Sequence, residues 1–226
     1  MNPTTRAPAR ARRRGARVAR WALACWMVVC LPVPAQDDPH AAHRAALARA
    51  QGASPTRVAL PGTRLSMRDG SAVRLQADSF DDRIVVIDFV FTQCTTICPA
   101  LTAVMASVQR GLEPGADDWL LVSVSVDPAH DTPARMDAYA RNVGAGRNWW
   151  WLTGAGGEVD RSLRAFGLPP GRPQDHAPMV LVGHPASGQW LRWVGMPSPK
   201  QLLAAVASLR ASATRPGPQR TAHAQP

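Results

Sequence analysis

Blocks of apolar residues separated by polar ones run along the chain, and the block at residues 84–91 is the clearest. It is rich in isoleucine and valine and is bounded by polar residues, a pattern typical of a buried strand. In the segment that follows, Cys94 and Cys98 are separated by three residues. Pro99 suits the first position of a helix, and the apolar spacing up to Gly111 predicts a helix over residues 99–110. We therefore expect the two cysteines where a strand passes into a helix.

A second buried strand is predicted at residues 119–126. A strand, a helix and a strand of these lengths imply a parallel pair joined by a right-handed crossover. The loop at residues 127–131 follows, and Thr132 as N-cap with Pro133 in the first turn predicts a helix to about residue 143. In an open α/β sheet, sites gather at the carboxyl ends of parallel strands. Cys94, Cys98 and Asp127 are thus expected on one rim of the sheet.

The rest of the pattern completes one α/β domain, expected over residues 57–210. At least one of the adjacent residues Trp149, Trp150 and Trp151 is expected in the core, because three exposed indoles would be costly. The other predicted elements are a strand or hairpin region at 58–75 with an Asp69-Gly70 turn, a helix at 158–166, a loop at 167–174, strands at 179–183 and 189–194, and a helix at 199–209.

The amino-terminal segment explains most of the positive charge. The 226-residue chain has a formal charge of +10, but seven of its 26 basic residues and none of its acidic ones precede Trp21. Removing those seven leaves 19 basic against 16 acidic residues, which does not favour a nucleic-acid partner. The arginines, the apolar run 21–31 and the small residues Val33 and Ala35 predict a secretory signal peptide over residues 1–35. The predicted location is therefore periplasmic or otherwise extracytoplasmic, with a flexible leader at 36–56 and a disordered tail at 211–226.

Cleavage of this segment would remove Cys25 and Cys30. The apolar run is shorter than the roughly 20 residues that span a bilayer, so cleavage is favoured over a membrane anchor. A lipoprotein is disfavoured, because neither cysteine follows a usual lipobox. The mature protein would keep only Cys94 and Cys98, which fit a small disulfide, a metal site or a redox pair. A structural disulfide is disfavoured, since so short a loop removes little entropy from the unfolded chain.

His176 is the candidate third member of a site with the cysteines. It just precedes the strand predicted at 179–183, and an antiparallel strand would bring it to the rim that holds Cys94 and Cys98. The positive end of the helix dipole is expected to favour a thiolate at Cys98. Thiolates select Cu(I), and an added imidazole also suits Cu(II). Taken alone, His176 fits an ordinary loop histidine, and only its place at a strand entry favours the site.

Several other side chains have weaker claims, because each fits an ordinary structural role. Asp131 is expected to cap the helix that follows it. His130 is an alternate ligand, and methionine at strand positions usually fills the core. The remaining candidates are His40, His43, His184, Met179 and Met196.

Four segments together resemble the Sco/SenC family: FTQCTTICP with the cysteines, SVDPAHDTP, LTG, and Asp175-His176. The resemblance covers residues 58–209. It implies a thioredoxin-like fold, with a central mixed sheet flanked by helices and an N-terminal β extension. It also implies an extracytoplasmic, often membrane-tethered protein that binds copper through Cys94, Cys98 and His176, with Asp127 in support. Members of this family are copper chaperones or thiol reductants in the assembly of the dinuclear copper centre of cytochrome c oxidase.

The sequence departs from the family pattern between the cysteines, where Thr95, Thr96 and Ile97 replace the commoner acidic residues. A further feature is Pro178, which resembles the cis-proline that faces the redox cysteines of thioredoxin-type reductases. A cis-proline there would offer a backbone edge to a substrate in a mixed disulfide. This feature favours the reductase interpretation.

Three hypotheses follow. The leading one is a chaperone that passes copper, as Cu(I) or Cu(II), to the copper-bearing subunit of cytochrome c oxidase or to another copper protein. The second is a thiol-disulfide oxidoreductase acting on a partner's cysteines, in which Cys94 attacks and Cys98 resolves. The third is a redox or copper sensor without transfer activity. Loss of His176 separates the first two, because it should abolish copper retention and leave most reductase activity.

Overall fold

The central sheet is built from short, largely apolar strands. The structure is a computed structural model, and it describes residues 52–112, 116–169 and 171–213. The described strands are β1 (Ser54–Thr56), β2 (Thr63–Met67), β3 (Ala72–Leu75), β4 (Ile84–Val90), β5 (Trp119–Ser125), β6 (Trp149–Thr153), β7 (Met179–His184) and β8 (Gln189–Val194). The described α-helices are α1 (Ile97–Gly111), α2 (Pro133–Asn142), α3 (Gly156–Phe166) and α4 (Pro199–Ala213).

The eight described strands form one mixed sheet in the order β1-β8-β7-β4-β5-β6-β2-β3. β4 is parallel to β5, and β5 is parallel to β6. β7 lies antiparallel to β4 on its other side. The carboxyl ends of β4 and β5 therefore share an edge of the sheet with the amino end of β7, as the sequence predicts.

Two apolar layers cover the faces of the sheet. One contains buried residues of α1, α2 and α4, and the other contains buried residues of α3 and of the β2–β3 region. β4 and β5 are buried along their whole length, because alternate side chains enter the two layers. Each fully buried aliphatic side chain contributes about 1.5–3 kcal/mol relative to an exposed one. Trp149 and Trp151 lie in the first layer, which confirms that the tryptophan run enters the core.

The N-terminal β extension is the hairpin of β2 and β3, which joins the sheet through antiparallel pairing of β2 with β6. Its turn contains Asp69 and Gly70, as predicted. Gly70 has a φ of +84°, a conformation that favours glycine. The Asp69 carboxylate accepts a hydrogen bond of 2.9 Å from the backbone N–H of Ser71. The hairpin therefore has the turn chemistry that its sequence indicates.

Several element bounds differ from the predicted ones, including the start of α3 at Gly156, two residues before the predicted helix. α1 begins at Ile97, two residues before Pro99. α4 continues to Ala213, so the first three residues of the predicted tail are helical. β1 pairs with β8, although its residues lie in the predicted flexible leader. The predicted signal peptide, residues 36–51 of the leader and residues 214–226 of the tail lie outside the described residues. No helix within the described ranges has the length and apolar character needed to cross a membrane.

Candidate metal and thiol site

The cysteine segment is a tight connection between β4 and α1. The backbone N–H of Cys94 donates to the carbonyl of Phe91 at 3.1 Å. Cys98 is the second residue of α1, and its backbone N–H donates to the Cys94 sulfur at 3.3 Å. Thr96 Oγ1 lies 3.8 Å from the same sulfur. Both cysteines are buried free thiols. The hydrogen bond from the N–H of Cys98 holds the Cys94 sulfur over the amino end of α1.

The two thiols differ in acidity, and the expectation that Cys98 carries the thiolate is wrong. Burial raises the pKa of Cys98 to about 12, and the Cys94 thiol adds to the rise. Burial also acts to raise the pKa of Cys94, but hydrogen bonds from Cys98 and Thr96 outweigh it and bring that pKa down to about 7. The physical reason is the early start of α1, because the helix N–H groups then face the sulfur that precedes the helix. The thiolate belongs to Cys94.

His176 enters the same pocket from the other side. It follows a 3₁₀ turn (Pro173–Asp175) and lies three residues before the first residue of β7. Its side chain lines a pocket together with Cys94 and Cys98, as the antiparallel direction of β7 predicts. Its Nε2 atom is buried without a hydrogen-bond partner. A buried nitrogen without a partner is costly, and a ligand that bonds to it would remove that cost.

The three side chains share this pocket but do not form a closed ligand set. Within the described ranges, no three histidine, cysteine, aspartate or glutamate residues stand close enough together to hold a metal ion. The donor types, two sulfurs and an imidazole nitrogen, fit a soft ion such as Cu(I). Apolar side chains make up much of the remaining wall: Phe89, Phe91, Ile97, Leu101 and Val126.

Pro178 also lines the pocket, on the side of His176. Its carbonyl accepts a hydrogen bond of 2.8 Å from the N–H of Gly195, which extends the pairing of β7 with β8. That oxygen is therefore already bonded within the fold. Its role toward a partner's backbone stays a prediction.

Asp127 stands on the loop after β5, outside the lining of the cysteine pocket. Both of its carboxylate oxygens lie 2.9 Å from Nδ1 of His130. Its backbone N–H donates to Ser125 Oγ at 3.0 Å. His130 is exposed and does not line the pocket. The supporting role of Asp127 and the alternate ligation by His130 stay predictions.

The expectation that Asp131 caps α2 is wrong, because Thr132 is the N-cap and accepts from the N–H of Arg135. The buried Asp131 carboxylate instead accepts from the backbone and side chain of Thr92, at 3.0 and 2.6 Å, and from Ser125 Oγ at 2.6 Å. Sequence reasoning missed the link to Thr92, since the two residues lie in different loops. The available signal was one polar residue just after β4 and one acidic residue in the loop after β5.

Asp88 is a second buried carboxylate that sequence reasoning missed. It lies in the middle of β4, and Ser123 of β5 donates to it at 2.6 Å. Trp149 Nε1 in turn donates to Ser123 Oγ at 2.9 Å. Burial raises the pKa of Asp88 to about 7. The available signal was a single acid within an apolar strand, opposite a serine in the next strand.

The other sequence candidates lie away from the cysteine pocket. Met179 is buried in one apolar layer, and Met196 packs against the other, which agrees with core filling. His184 is buried at the opposite end of β7, where its Nε2 lies 2.8 Å from the Asp82 carboxylate. His40 and His43 lie outside the described residues.

Comparison with known proteins identifies the family. A model of the SCO1/SenC family matches residues 59–188. The chain belongs to the SCO1/SenC family. A SCO1 protein homolog of Bacillus subtilis is 39% identical over 88 residues, which cover 38% of this chain and 45% of that protein. The chain spans about half the length of the curated relatives it matches.

Solved Sco structures confirm the thioredoxin-like fold. BsSco, a Sco-family cytochrome c oxidase assembly protein with an identified disulfide switch, is 28% identical. The match covers 72% of this chain and 98% of BsSco with a TM-score of 0.60. Arabidopsis thaliana ScoI with copper bound is 19% identical over 69% of this chain and 99% of that one, with a TM-score of 0.57. At that identity, the second likeness shows the fold alone.

Proposed function

We propose that this Sco-family chain is an extracytoplasmic copper chaperone. It holds copper through Cys94, Cys98 and His176 and passes it by ligand exchange to the copper-bearing subunit of cytochrome c oxidase. The observation that carries the proposal is one pocket that joins two free thiols to a buried imidazole nitrogen without a partner. The assembly role of BsSco supports it. The signal-like amino terminus supports the location.

The two sulfurs have different parts in binding and release. With its pKa near 7, Cys94 offers a thiolate at neutral pH and is the first donor that an incoming ion meets. Cys98, with its pKa near 12, must lose a proton as it binds the ion. Reprotonation of Cys98 therefore favours release, and its sulfur is the first donor that a recipient's ligand replaces.

His176 supplies the nitrogen through Nε2, the ring atom that has no hydrogen-bond partner within the fold. Its segment must bring the ring closer to the sulfurs, because the described conformation holds no closed set of three donors. Two thiolates and Cu(I) leave one net negative charge, which the amino end of α1 offsets.

Copper titration of the reduced protein tests the proposal. We expect one tightly bound Cu(I) per chain, lost in Cys94→Ala and in Cys98→Ala and strongly weakened in His176→Ala. His184→Ala is the control, because His184 lies at the opposite end of β7 and does not line the pocket. A His176→Ala protein that holds Cu(I) as tightly as the His184→Ala protein would contradict the proposed ligand set.

A second function, thiol-disulfide reduction, is favoured by the unequal acidity of the thiols. The Cys94 thiolate would attack a partner's disulfide and form a mixed disulfide, and the leaving partner thiolate would take up a proton. Cys98 would then give up its proton and attack the Cys94 sulfur, which releases the second partner thiol. Two electrons pass to the partner, and the chain ends as a Cys94–Cys98 disulfide. Reductase activity that survives His176→Ala, in a protein that no longer holds copper, would support this second function.

A further inference from the structure

We infer that Asp131 is a positioning residue whose buried carboxylate holds the cysteine segment in place. The inference rests on the proposed function, since it concerns how the same site is prepared for copper and for thiol chemistry. Asp131 is only 1% exposed, although it is an acidic residue in a loop. A buried carboxylate needs several hydrogen bonds to offset the loss of water, and the structure provides three.

Two of the three bonds come from one residue of the cysteine segment. The backbone N–H and the hydroxyl of Thr92 both donate to Oδ1 of Asp131, at 3.0 and 2.6 Å. Ser125 at the end of β5 donates to Oδ2 at 2.6 Å. Hydrogen bonds to a charged acceptor are roughly twice as strong as neutral ones. Asp131 therefore joins the segment after β4 to the end of β5 more firmly than neutral contacts would.

The backbone of Asp131 is itself fixed on both sides. Its N–H donates to the carbonyl of Asp127 at 2.8 Å. Its carbonyl accepts from the hydroxyl of Thr153, the last residue of β6, at 2.6 Å. Asp131 is thus attached to β5 through its carboxylate and to β6 through its carbonyl, and it is the Thr92 segment that would move if the bonds to Thr92 were lost.

Movement of Thr92 would reach Cys94 directly. Only Gln93 separates the two residues, and Cys94 has its own backbone bond to Phe91 on the other side of Thr92. The place of the Cys94 sulfur over the N–H of Cys98 therefore depends on where Thr92 is held. Residues that orient metal ligands in this way typically change metal affinity by about 10- to 100-fold when they are replaced.

The test compares threonine variants whose effects on the site and on stability differ. Thr92→Val keeps the backbone bond to Asp131 but removes the hydroxyl bond, and Thr92→Ser keeps both. Thr63→Val is the matched control, because the Thr63 hydroxyl makes an equally short buried bond of 2.6 Å to Ser162, two residues that do not line the pocket. Cu(I) affinity is measured by competition with a chromogenic chelator, and stability is measured by urea unfolding.

We expect about tenfold weaker Cu(I) binding in Thr92→Val, and binding within about twofold of wild type in Thr92→Ser and Thr63→Val. Asp131→Ala should weaken binding further, and adding Thr92→Val to it should change little, because both changes remove the same bond. Wild-type copper affinity in Thr92→Val, with stability lowered as in Thr63→Val, would overturn the inference. If Asp131→Ala fails to fold, the three threonine variants still decide.

A second measurement separates this inference from the proposed function. The equilibrium between the Cys94–Cys98 dithiol and its disulfide, measured against glutathione, needs no copper. Since Asp131 holds Cys94 in the dithiol arrangement, Thr92→Val should shift this equilibrium toward the disulfide by about tenfold, while Thr63→Val should not. If wild type binds no copper but this shift occurs, the proposed function fails and the positioning role stands. An unshifted equilibrium in Thr92→Val overturns the positioning role.

Discussion

The two ends of β7 carry one histidine each, and the two rings are held differently. At the carboxyl end, His184 is buried, its Nε2 lies 2.8 Å from the Asp82 carboxylate, and its Nδ1 has no partner among the described residues. Before the amino end, His176 faces the cysteine pocket with a buried Nε2 atom that has no partner. Two free thiols line the same pocket as His176, whereas at the other end Arg210 is ion-paired with Asp118.

This difference separates a structural end of the sheet from a reactive one. Polar groups that are bonded within the fold contribute to stability and have little left for a ligand. The cysteine end keeps a thiol of lowered pKa and an imidazole nitrogen that line one pocket, and these donors favour the binding of a ligand. Replacements at the two ends should therefore change different measurements.

The largest contrast is expected between the two thiols of the reactive end. At pH 7 about half of Cys94 and very little of Cys98 should be thiolate, because their pKa values are near 7 and near 12. After allowing for the lower intrinsic nucleophilicity of the more acidic thiol, Cys94 should react with iodoacetamide about 300-fold faster. Tandem mass spectrometry locates the label. The Cys94 rate should fall as the pH falls below about 7, and equal labelling of both cysteines would contradict the assignment.

Replacement of the two histidines should have different effects on copper affinity. His176→Ala should weaken Cu(I) binding by about 100-fold, because it removes a proposed donor, whereas His184→Ala should leave the affinity unchanged. Both affinities come from the same chelator competition. A comparable loss of Cu(I) affinity in the two variants would mean that the loss comes from general damage to β7 and not from removal of a copper donor.

The raised pKa of Asp88 predicts that the free energy of unfolding depends on pH. Its pKa is raised from 3.8 to about 7, so the folded state keeps a proton that the unfolded state loses between these values. The contribution of this group to the free energy of unfolding is therefore fully present below about pH 4, and it decreases as the pH rises to about 7. In Asp88→Asn, the decrease between pH 4.5 and pH 7.5 should be smaller by about 2–4 kcal/mol, as measured by urea unfolding. Asp117→Asn, an exposed control, should keep the wild-type decrease.

The smallest effect is expected at the structural end. His184→Ala should lower the free energy of unfolding by about 1–3 kcal/mol, because it removes a buried ring and its bond to Asp82. His176→Ala should change it by less than about 0.5 kcal/mol, since its Nε2 has no bond to lose. Chemical denaturation of the two proteins side by side gives both values, and the reverse order would break the contrast between the two ends.

Most of the fold could be predicted from local patterns. The buried strands β4 and β5 are continuous apolar runs, and the turn at Asp69 and Gly70 has a specific sequence signature. The start of α1 was missed because Pro99 is acceptable anywhere in the first turn of a helix, so it does not fix the first residue. β1 was missed because three residues, one of them a proline, give too little pattern to indicate a strand.

The candidate site could be predicted only in part. The spacing of Cys94 and Cys98 is local, and the direction of β7 brings His176 to their rim. The relative acidity of the thiols depends on which N–H faces which sulfur, a detail set by the helix start. The contact of Thr92 with Asp131 joins loops 39 residues apart, and no local pattern contains it.

The antiparallel placement of β7 has a consequence for the order in which the site is assembled. The two sulfurs come from one short segment, while the imidazole comes from a strand much later in the chain. A partly folded chain that contains only β4, α1 and β5 would offer two donors, and the third arrives when β7 pairs with β4. Copper would then stabilise the completed sheet over its incomplete forms, by about 2.7 kcal/mol when free copper is 100 times its dissociation constant. If the chain holds copper as proposed, only a chain in which β7 has paired with β4 would retain the ion, so copper retention would report complete folding of the sheet.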